Sequence, residues 1–351
     1  MKRTETVSVV CPVFNEEEGI SVFYKRASEA MNAIDPPVDY SFLFINDGSS
    51  DGTADVLQGI ADNDDRVGVL HFSRNFGHQL AITAGIDHAD GDAVVVIDSD
   101  LQDPPEVIAQ MVQLWREGWH VVYGQRTSRP GESGFKLFTA RYFYRFINWL
   151  SDVDLPLDAG DFRLMDHRVV EVLKDVREEN RYVRGLVSWA GFRQCALPYE
   201  RDVRFAGETK YPISKMIRFA SDGISSFSEK PLRLAGQLGG IVTVLAFLTG
   251  LGIIVGKIVN PSGQLPGYAS MMAVILFLGG IQLLTVGILG QYLGRTYRET
   301  KRRPLYILSS SHSINSNSNV GRVVPVANRH DTVIDVRDVM LARNERAHES
   351  A

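Results

Sequence analysis

Apolar and polar positions along residues 7–124 alternate with two different periods. Val7–Phe14, Tyr40–Asn46, Val67–Phe72, Ala93–Asp98 and His120–Tyr123 are short β-branched or aromatic runs bounded by turn residues, the pattern of buried strands. Between them, Glu17–Ala33, Asp51–Asp62, Gln79–His88 and Pro104–Glu117 carry apolar residues at helical spacing, with Asp51 and Pro104 where helix starts belong. This order predicts an α/β, Rossmann-like domain with a mostly parallel sheet covered on both faces. Such sheets bind ligands beyond the carboxyl ends of their strands, where Asn15, Asp47 and Asp98 fall. The first apolar run reads as a strand rather than a secretory signal, because Asn15-Glu16-Glu17-Glu18 stands where a cleavage site of small residues would be.

The pattern changes in the last third. No residue from Leu234 to Gly256 is charged, and none from Tyr268 to Gly294. Each run exceeds the roughly 20 residues needed to cross about 30 Å of hydrocarbon. Joined by Asn260–Gly267, they predict a two-helix transmembrane hairpin. Lys230 and Arg233 flank the first run, and Arg295, Arg298, Lys301, Arg302 and Arg303 follow the second, so both ends of the hairpin, and both termini, are expected on the cytoplasmic side. Phe135–Leu150 and Pro212–Phe227 mix aromatic or aliphatic stripes with basic residues, as helices lying in the headgroup plane do. The expected units are a cytoplasmic catalytic domain over 1–210, an amphipathic juxtamembrane helix over 211–231, the hairpin over 232–296 and a tail over 297–351. The serine- and asparagine-rich run from Ser309 reads as a flexible linker.

Composition narrows the function. In 351 residues, 37 Lys and Arg stand against 42 Asp and Glu, a net charge of −5, which gives no basic field for nucleic acid. Two cysteines, Cys11 and Cys195, make no disulfide framework and suit a reducing compartment.

The strongest chemical signal is Val96-Ile97-Asp98-Ser99-Asp100-Leu101-Gln102-Asp103, a buried strand ending in carboxylates two residues apart. Mg²⁺ and Mn²⁺ take oxygen ligands of this kind, and like charges so close repel unless solvated or bridged by a cation. Asp103 also fits a simple cap for the following helix. A second signal, Asn46-Asp47-Gly48-Ser49-Ser50-Asp51-Gly52-Thr53, suits contact with a base or ribose. Its Gly48-x-Ser50-x-Gly52 string also matches a hydrolase nucleophile elbow, so an esterase using Ser50 is a rival; a non-enzymatic membrane scaffold is another. Asp161, in Asp158–Leu164, is a further polar knot, and His71, His78 and His120 lack metal-ligand spacing.

Taken with Cys11–Glu18 and Ser73-Arg74-Asn75-Phe76-Gly77-His78, these motifs resemble family 2 glycosyltransferases over roughly residues 5–308. The resemblance is to the dolichol-phosphate mannose synthase group and, with two C-terminal helices, to bacterial bactoprenol-phosphate glucosyltransferases. One departure is Phe14, often tyrosine in that group. The resemblance implies a GT-A fold and inverting transfer of a hexose, glucose from UDP-glucose above mannose, N-acetylhexosamine or aminoarabinose, to polyprenyl (undecaprenyl) phosphate at the cytoplasmic membrane. It implies Pro12, Phe14, Glu16, Ile45, Asp47, Asp98 and Ser99 around the nucleotide sugar, and Asp98, Asp100 and Gln102 on Mg²⁺ or Mn²⁺. Arg204 and Lys210 would close over the phosphates, Arg141 would meet the acceptor phosphate, and Asp161 and Arg126 would serve catalysis, Asp161 as an orienting group or a base. The bilayer is the expected partner, and a homo-oligomer is left open.

Overall fold

The computed structural model describes residues 3–127, 159–179, 181–201, 230–259 and 267–312. Eight strands form one sheet: β1 (Thr6–Val13), β2 (Asp39–Asn46), β3 (Val67–Phe72), β4 (Ala93–Val96), β5 (Val121–Arg126), β6 (Ala159–Asp166), β7 (Gln194–Tyr199) and β8 (Leu308–His312). Their order across the sheet is β7-β5-β6-β4-β1-β2-β3-β8. β1, β2, β3 and β4 run parallel, as do β5 and β7, whereas β6 and β8 pair antiparallel with their neighbours. The expected α/β domain with a mostly parallel sheet is present.

Alternation along β1 sends Val7, Val9, Cys11 and Val13 to one face and Val10 to the other. The first face is covered by α1 (Ile20–Asn32), α2 (Thr53–Asn63) and α4 (Val107–Arg116), which bury Phe23, Leu57 and Met111. The second is covered by α3 (His78–His88), α5 (His167–Asp175) and α6 (Val183–Trp189). Helix α3 lies so close to the sheet that a Cβ on Gly85 would fall 2.1 Å from Val10 Cγ1. Only glycine permits that approach.

Helices α1, α2 and α4 start two or three residues later than the sequence predicts, whereas α3 starts one residue earlier. Glu16 O accepts the N–H groups of Gly19 and Ile20, Asp51 Oδ1 accepts from Thr53 N and Oγ1, and Pro104 O accepts from Val107 N. These turns keep Glu16–Glu18, Asp51 and Asp103 out of regular helix.

A correction concerns the tail. Residues 309–312 are not a linker; they lie in β8, paired with the edge strand β3. Backbone pairing needs no apolar side chains, and buried Tyr306 and Leu308 anchor the approach. The sheet is thus completed by residues placed sequentially beyond both long C-terminal helices.

Those helices, α7 (Lys230–Val259) and α8 (Tyr268–Thr300), are in contact with one another. Their apolar side chains face outward; Phe247 is 70% exposed and Leu283 76%. Among the described residues one stretch, Phe277–Thr300, is long and apolar enough to cross a membrane, and none of it is buried. The apolar stretch Ala235–Thr249 of α7 is shorter. The expected amphipathic segments, with Arg141, Arg204 and Lys210, lie outside the described residues.

Candidate active site

Strand order β3-β2-β1-β4 reverses direction between β1 and β4, which makes the carboxyl ends of these two strands the topological switch point of the sheet. A pocket of about 260 Å³ opens there, lined by Asn15, Glu16, Asp51, Ser99, Asp100 and Leu101 among others. Asn15 (φ 55°) and Leu101 (φ 61°) are both left-handed, a conformation that non-glycine residues hold at some strain and that gathers at functional sites. The loops are tied together: Asn15 N donates to Ser49 Oγ, Ser50 N to Asn15 Oδ1, and Ser99 Oγ to Pro12 O. Ser50 therefore meets Asn15 and no histidine among the described residues, so no hydrolase arrangement is assembled among them.

Antiparallel pairing of β4 with β6 sets the centre of the site. Val96 is opposite Arg163, so the residues just beyond β4 meet those at the start of β6, and Asp98 comes beside Asp161. His78 Nε2 lies between them, 3.5 Å from Asp98 Oδ1 and 3.3 Å from Asp161 Oδ2. The two carboxylates have opposite surroundings. Asp161, 7% exposed, accepts from Arg184 Nε (2.8 Å), Arg184 Nη2 (3.3 Å) and Gln79 Nε2 (3.1 Å) besides facing His78. Burial alone would raise its pKa, but His78, Arg184 and Arg163 hold it well below the carboxylate range. Arg184 is held above its ordinary value, Asp161 outweighing the opposing effect of burial. Both partners therefore stay charged.

Asp98 has no such support. Its Oδ1 is buried and has no hydrogen-bond donor, since His78 lies at the outer limit of contact. Burial, opposed by His78 and reinforced by Asp161, Asp103 and Asp100, pushes its carboxyl up to about 6. Asp100 faces the pocket, and its Oδ1 accepts the Gln102 N–H at 3.1 Å. No group of three His, Cys, Asp or Glu side chains able to hold a metal occurs among the described residues. A hard divalent ion needs only one or two protein carboxylates when substrate phosphates complete its shell. The orphaned oxygen of Asp98 and the crowding of acids around it fit such an ion.

A third acid, Asp103, is completely buried and is not a helix cap; α4 is capped without a side chain at Glu106. It accepts from Tyr199 Oη at 2.5 Å and from Arg126 Nη2 at 3.5 Å, with Arg201 Nε also 3.5 Å away. Burial lowers and Asp103 with Tyr199 raises the Arg126 pKa, for a net rise. Arg126 also packs against Gly160, where a Cβ would lie 3.0 Å from Nη2. Asp103 thus aims Arg126 toward the start of β6.

Two predicted pocket residues stand elsewhere than expected. Ile45 is fully buried in the core on the α3 side, so its side chain does not face the pocket. Asp47, 3% exposed, spends its carboxylate on the N–H groups of Phe76 (2.6 Å) and Gly77 (2.9 Å), shaping the loop before α3. Burial raises its pKa, and those N–H groups pull it down. Gly48 (φ 70°) must be glycine here, since a Cβ would lie 2.5 Å from the backbone of Arg74. Phe14, by contrast, is 46% exposed at the end of β1. The sequence reading passes over Gln79 and Arg184, and takes His78 as a structural or local hydrogen-bonding group; the basic residues of Arg181-Tyr182-Val183-Arg184 and the Gly77-His78-Gln79 helix start are the signals that point to them.

Residues 8–173 match the sequence family described as glycosyl transferase family 2. The chain is 48% identical over 314 residues to an uncharacterized glycosyltransferase, YkcC, of Bacillus subtilis (strain 168), covering 90% of this chain and 96% of that one. It is 43% identical over 308 residues to the SfII prophage-derived bactoprenol glucosyl transferase of Shigella flexneri, covering 87% and 98%. Among solved structures it is similar to the mannosyltransferase PcManGT of Pyrobaculum calidifontis in complex with GDP-Man and Mn²⁺, with 17% identity, a TM-score of 0.42, and coverage of 86% and 88%. The α/β core with its mostly parallel sheet is the GT-A-like arrangement that the sequence resemblance implies. The chain belongs to glycosyl transferase family 2, and it is an enzyme of the glycosyltransferase class.

Proposed function

We propose that the protein transfers glucose from UDP-glucose to polyprenyl (undecaprenyl) phosphate at the cytoplasmic face of the membrane, with inversion at the anomeric carbon. The observation that carries the acceptor class is the ring of donors on Asp161, from Arg184, Gln79 and His78, which holds its carboxyl below the usual range. A carboxylate held below its usual range is a poor base, so Asp161 is not suited to take the proton of a hydroxyl acceptor. A phosphate monoester, with a second pKa near 6, is already an anion at neutral pH. Its oxygen forms the new bond as the bond from the anomeric carbon to the diphosphate breaks, and no proton moves. Relatives named bactoprenol glucosyl transferases, at 42–43% identity and covering most of this chain, support both glucose and a polyprenyl acceptor.

In this reading Phe14 offers its ring to the base, and Pro12, Glu16 and Ser99 line the nucleotide. Ile45 serves that pocket through the core on the α3 side, and Asp47 through the loop before α3. Asp98 and Asp100, with Gln102, would hold Mg²⁺ or Mn²⁺, which when bound supplies positive charge against the departing diphosphate. Arg126, aimed by Asp103, faces the same developing charge, and Arg204 and Lys210 are assigned to the phosphates. Arg141 is assigned to the acceptor phosphate. Asp161 holds Arg184 and His78 in place beside Asp98. Units 1–210, 211–231, 232–296 and 297–351 act as catalytic domain, interfacial helix, membrane hairpin and cytoplasmic tail, and residues 308–312 of the tail return to the sheet of the catalytic domain as its last strand. The outward apolar faces of α7 and α8 support two spans, and the Lys and Arg residues flanking them support both ends at the cytoplasmic side.

The experiment is transfer of labelled sugar to undecaprenyl phosphate from UDP-glucose, GDP-mannose and UDP-N-acetylglucosamine, with and without EDTA. Glucose transfer abolished by EDTA and restored by Mn²⁺ or Mg²⁺ is expected. Preference for another donor overturns the sugar assignment, and EDTA-resistant turnover overturns the metal.

A further inference from the structure

The strap Lys301–His312, which leads from the end of α8 back to the sheet, does more than cover an edge. Edge cover needs only the backbone ladder that β8 forms with β3, extended by Ser73 N donating to Ile307 O. Tyr306 is instead 5% exposed, stacked on Phe72 with centroids 5.3 Å apart and an interplanar angle of 16°. Its hydroxyl donates to Asp87 Oδ2 at 2.9 Å, and Arg177 Nη1 donates to the same oxygen at 2.7 Å. Asp87, at the end of α3, is 3% exposed, and its other oxygen is buried without a hydrogen bond. A buried carboxylate is costly unless its hydrogen bonds are kept, so these two donors hold it.

Arg177 begins the connection that runs from α5 to α6. At the far end of that connection Val183 N donates to Gln79 Oε1 (3.0 Å), Gln79 Nε2 donates to Asp161 Oδ2 (3.1 Å), and the next residue, Arg184, pairs with Asp161. The connection is therefore fastened to α3 at both ends, by Asp87 and by Gln79. It is also fastened to the helix itself, since Glu299 Oε1 in the last turn of α8 accepts the N–H of Glu179 at 2.8 Å.

We propose that Tyr306 is a positioning residue: the strap clasps Asp87 and Arg177, and so holds Arg184 on Asp161 in register for sugar transfer. The consequence for turnover rests on the function proposed above, whereas the mechanical link does not. It ties the one described stretch apolar enough to span a membrane to the centre of the site through a short run of chain.

The test uses the full chain in lipid nanodiscs. Tyr306→Phe keeps the ring stack and removes the donor, and Glu299→Ala cuts the second link. For Tyr306→Phe the expected result is a five- to tenfold lower kcat, a donor KM within twofold of wild type, and at least tenfold faster amide exchange across 183–187; Glu299→Ala shifts kcat and exchange the same way by less and likewise spares KM. Unchanged kcat, or faster exchange confined to 301–312 and the end of α3, overturns the proposal. If wild type transfers no sugar to polyprenyl phosphate, the function reading fails, and exchange at 183–187 alone decides the clasp.

Discussion

Asp98 and Asp161 sit on either side of one histidine, yet the fold treats them oppositely. Asp161, entering β6, is fully buried and met by Arg184, Gln79 and His78. Asp98, leaving β4, has a buried oxygen with no donor and three other acids around it. The first is a finished structural element whose charge is already matched. The second has only His78, at 3.5 Å, against the acids around it, and a cation would complete it. A carboxylate's role at this sheet edge therefore follows from what the neighbouring strand and helix bring to it, not from its place in a motif.

The contrast can be broken most severely on the unfinished side. Asp98→Asn and Asp100→Ala are each expected to lower transfer by about a thousandfold or more, since several kcal/mol of charge stabilisation is lost, while circular dichroism and melting temperature hold. On the finished side the damage is to structure as well as rate. Arg184→Ala leaves Asp161 charged and buried, and is expected to lower stability by about 3–5 kcal/mol in denaturant titration, with a large loss of kcat. Lysine at 184 supplies charge without the bidentate fork and is expected to recover only part of either.

The pH responses differ in sign. The Asp161 carboxyl is depressed in the folded state, so its contribution to stability is present above the ordinary value near 4 and lost as pH falls through and below it. Asp161→Asn should be less stable at pH 7 and flatten the acid limb of the stability curve. The Asp98 carboxyl is raised to about 6, so its ionised form is disfavoured until pH exceeds that value. A Mn²⁺-induced rise in melting temperature is therefore expected above pH 6 and should fade below it, as protons compete for the same oxygen. The smallest effect belongs to Tyr199→Phe, which removes one of the donors on Asp103 and is expected to cost about 1–3 kcal/mol in stability and only a few-fold in rate.

What the sequence made legible follows from how local the signals are. The strands, their helices and the acids at their ends are written in short periodic runs, and β1 to β5 formed near where those runs predict them. β6 was not legible, because its central Gly160-Asp161-Phe162-Arg163 reads as a polar knot until β4 and β5 flank it. Its register brings Asp161 to Asp98, and no local pattern encodes a register across so long a separation. Arg184 was missed because its partner is chosen by that register. Ile45 stands off the pocket because alternation along β2 sends its side chain to the α3 face, where Gly85 admits it. β8 was mistaken for a linker because serines carry no hydrophobic period, although backbone pairing is indifferent to that.

Pairing polyprenyl phosphate with the corresponding polyprenyl alcohol as acceptors, under saturating UDP-glucose and Mn²⁺, tests most directly whether the site works without a base. Glucose should move to the phosphate with a kcat that stays flat from pH 7 to 9, and the alcohol should remain unreacted. Turnover of the alcohol, lost in Asp161→Asn, would contradict the matched, non-basic state assigned to Asp161.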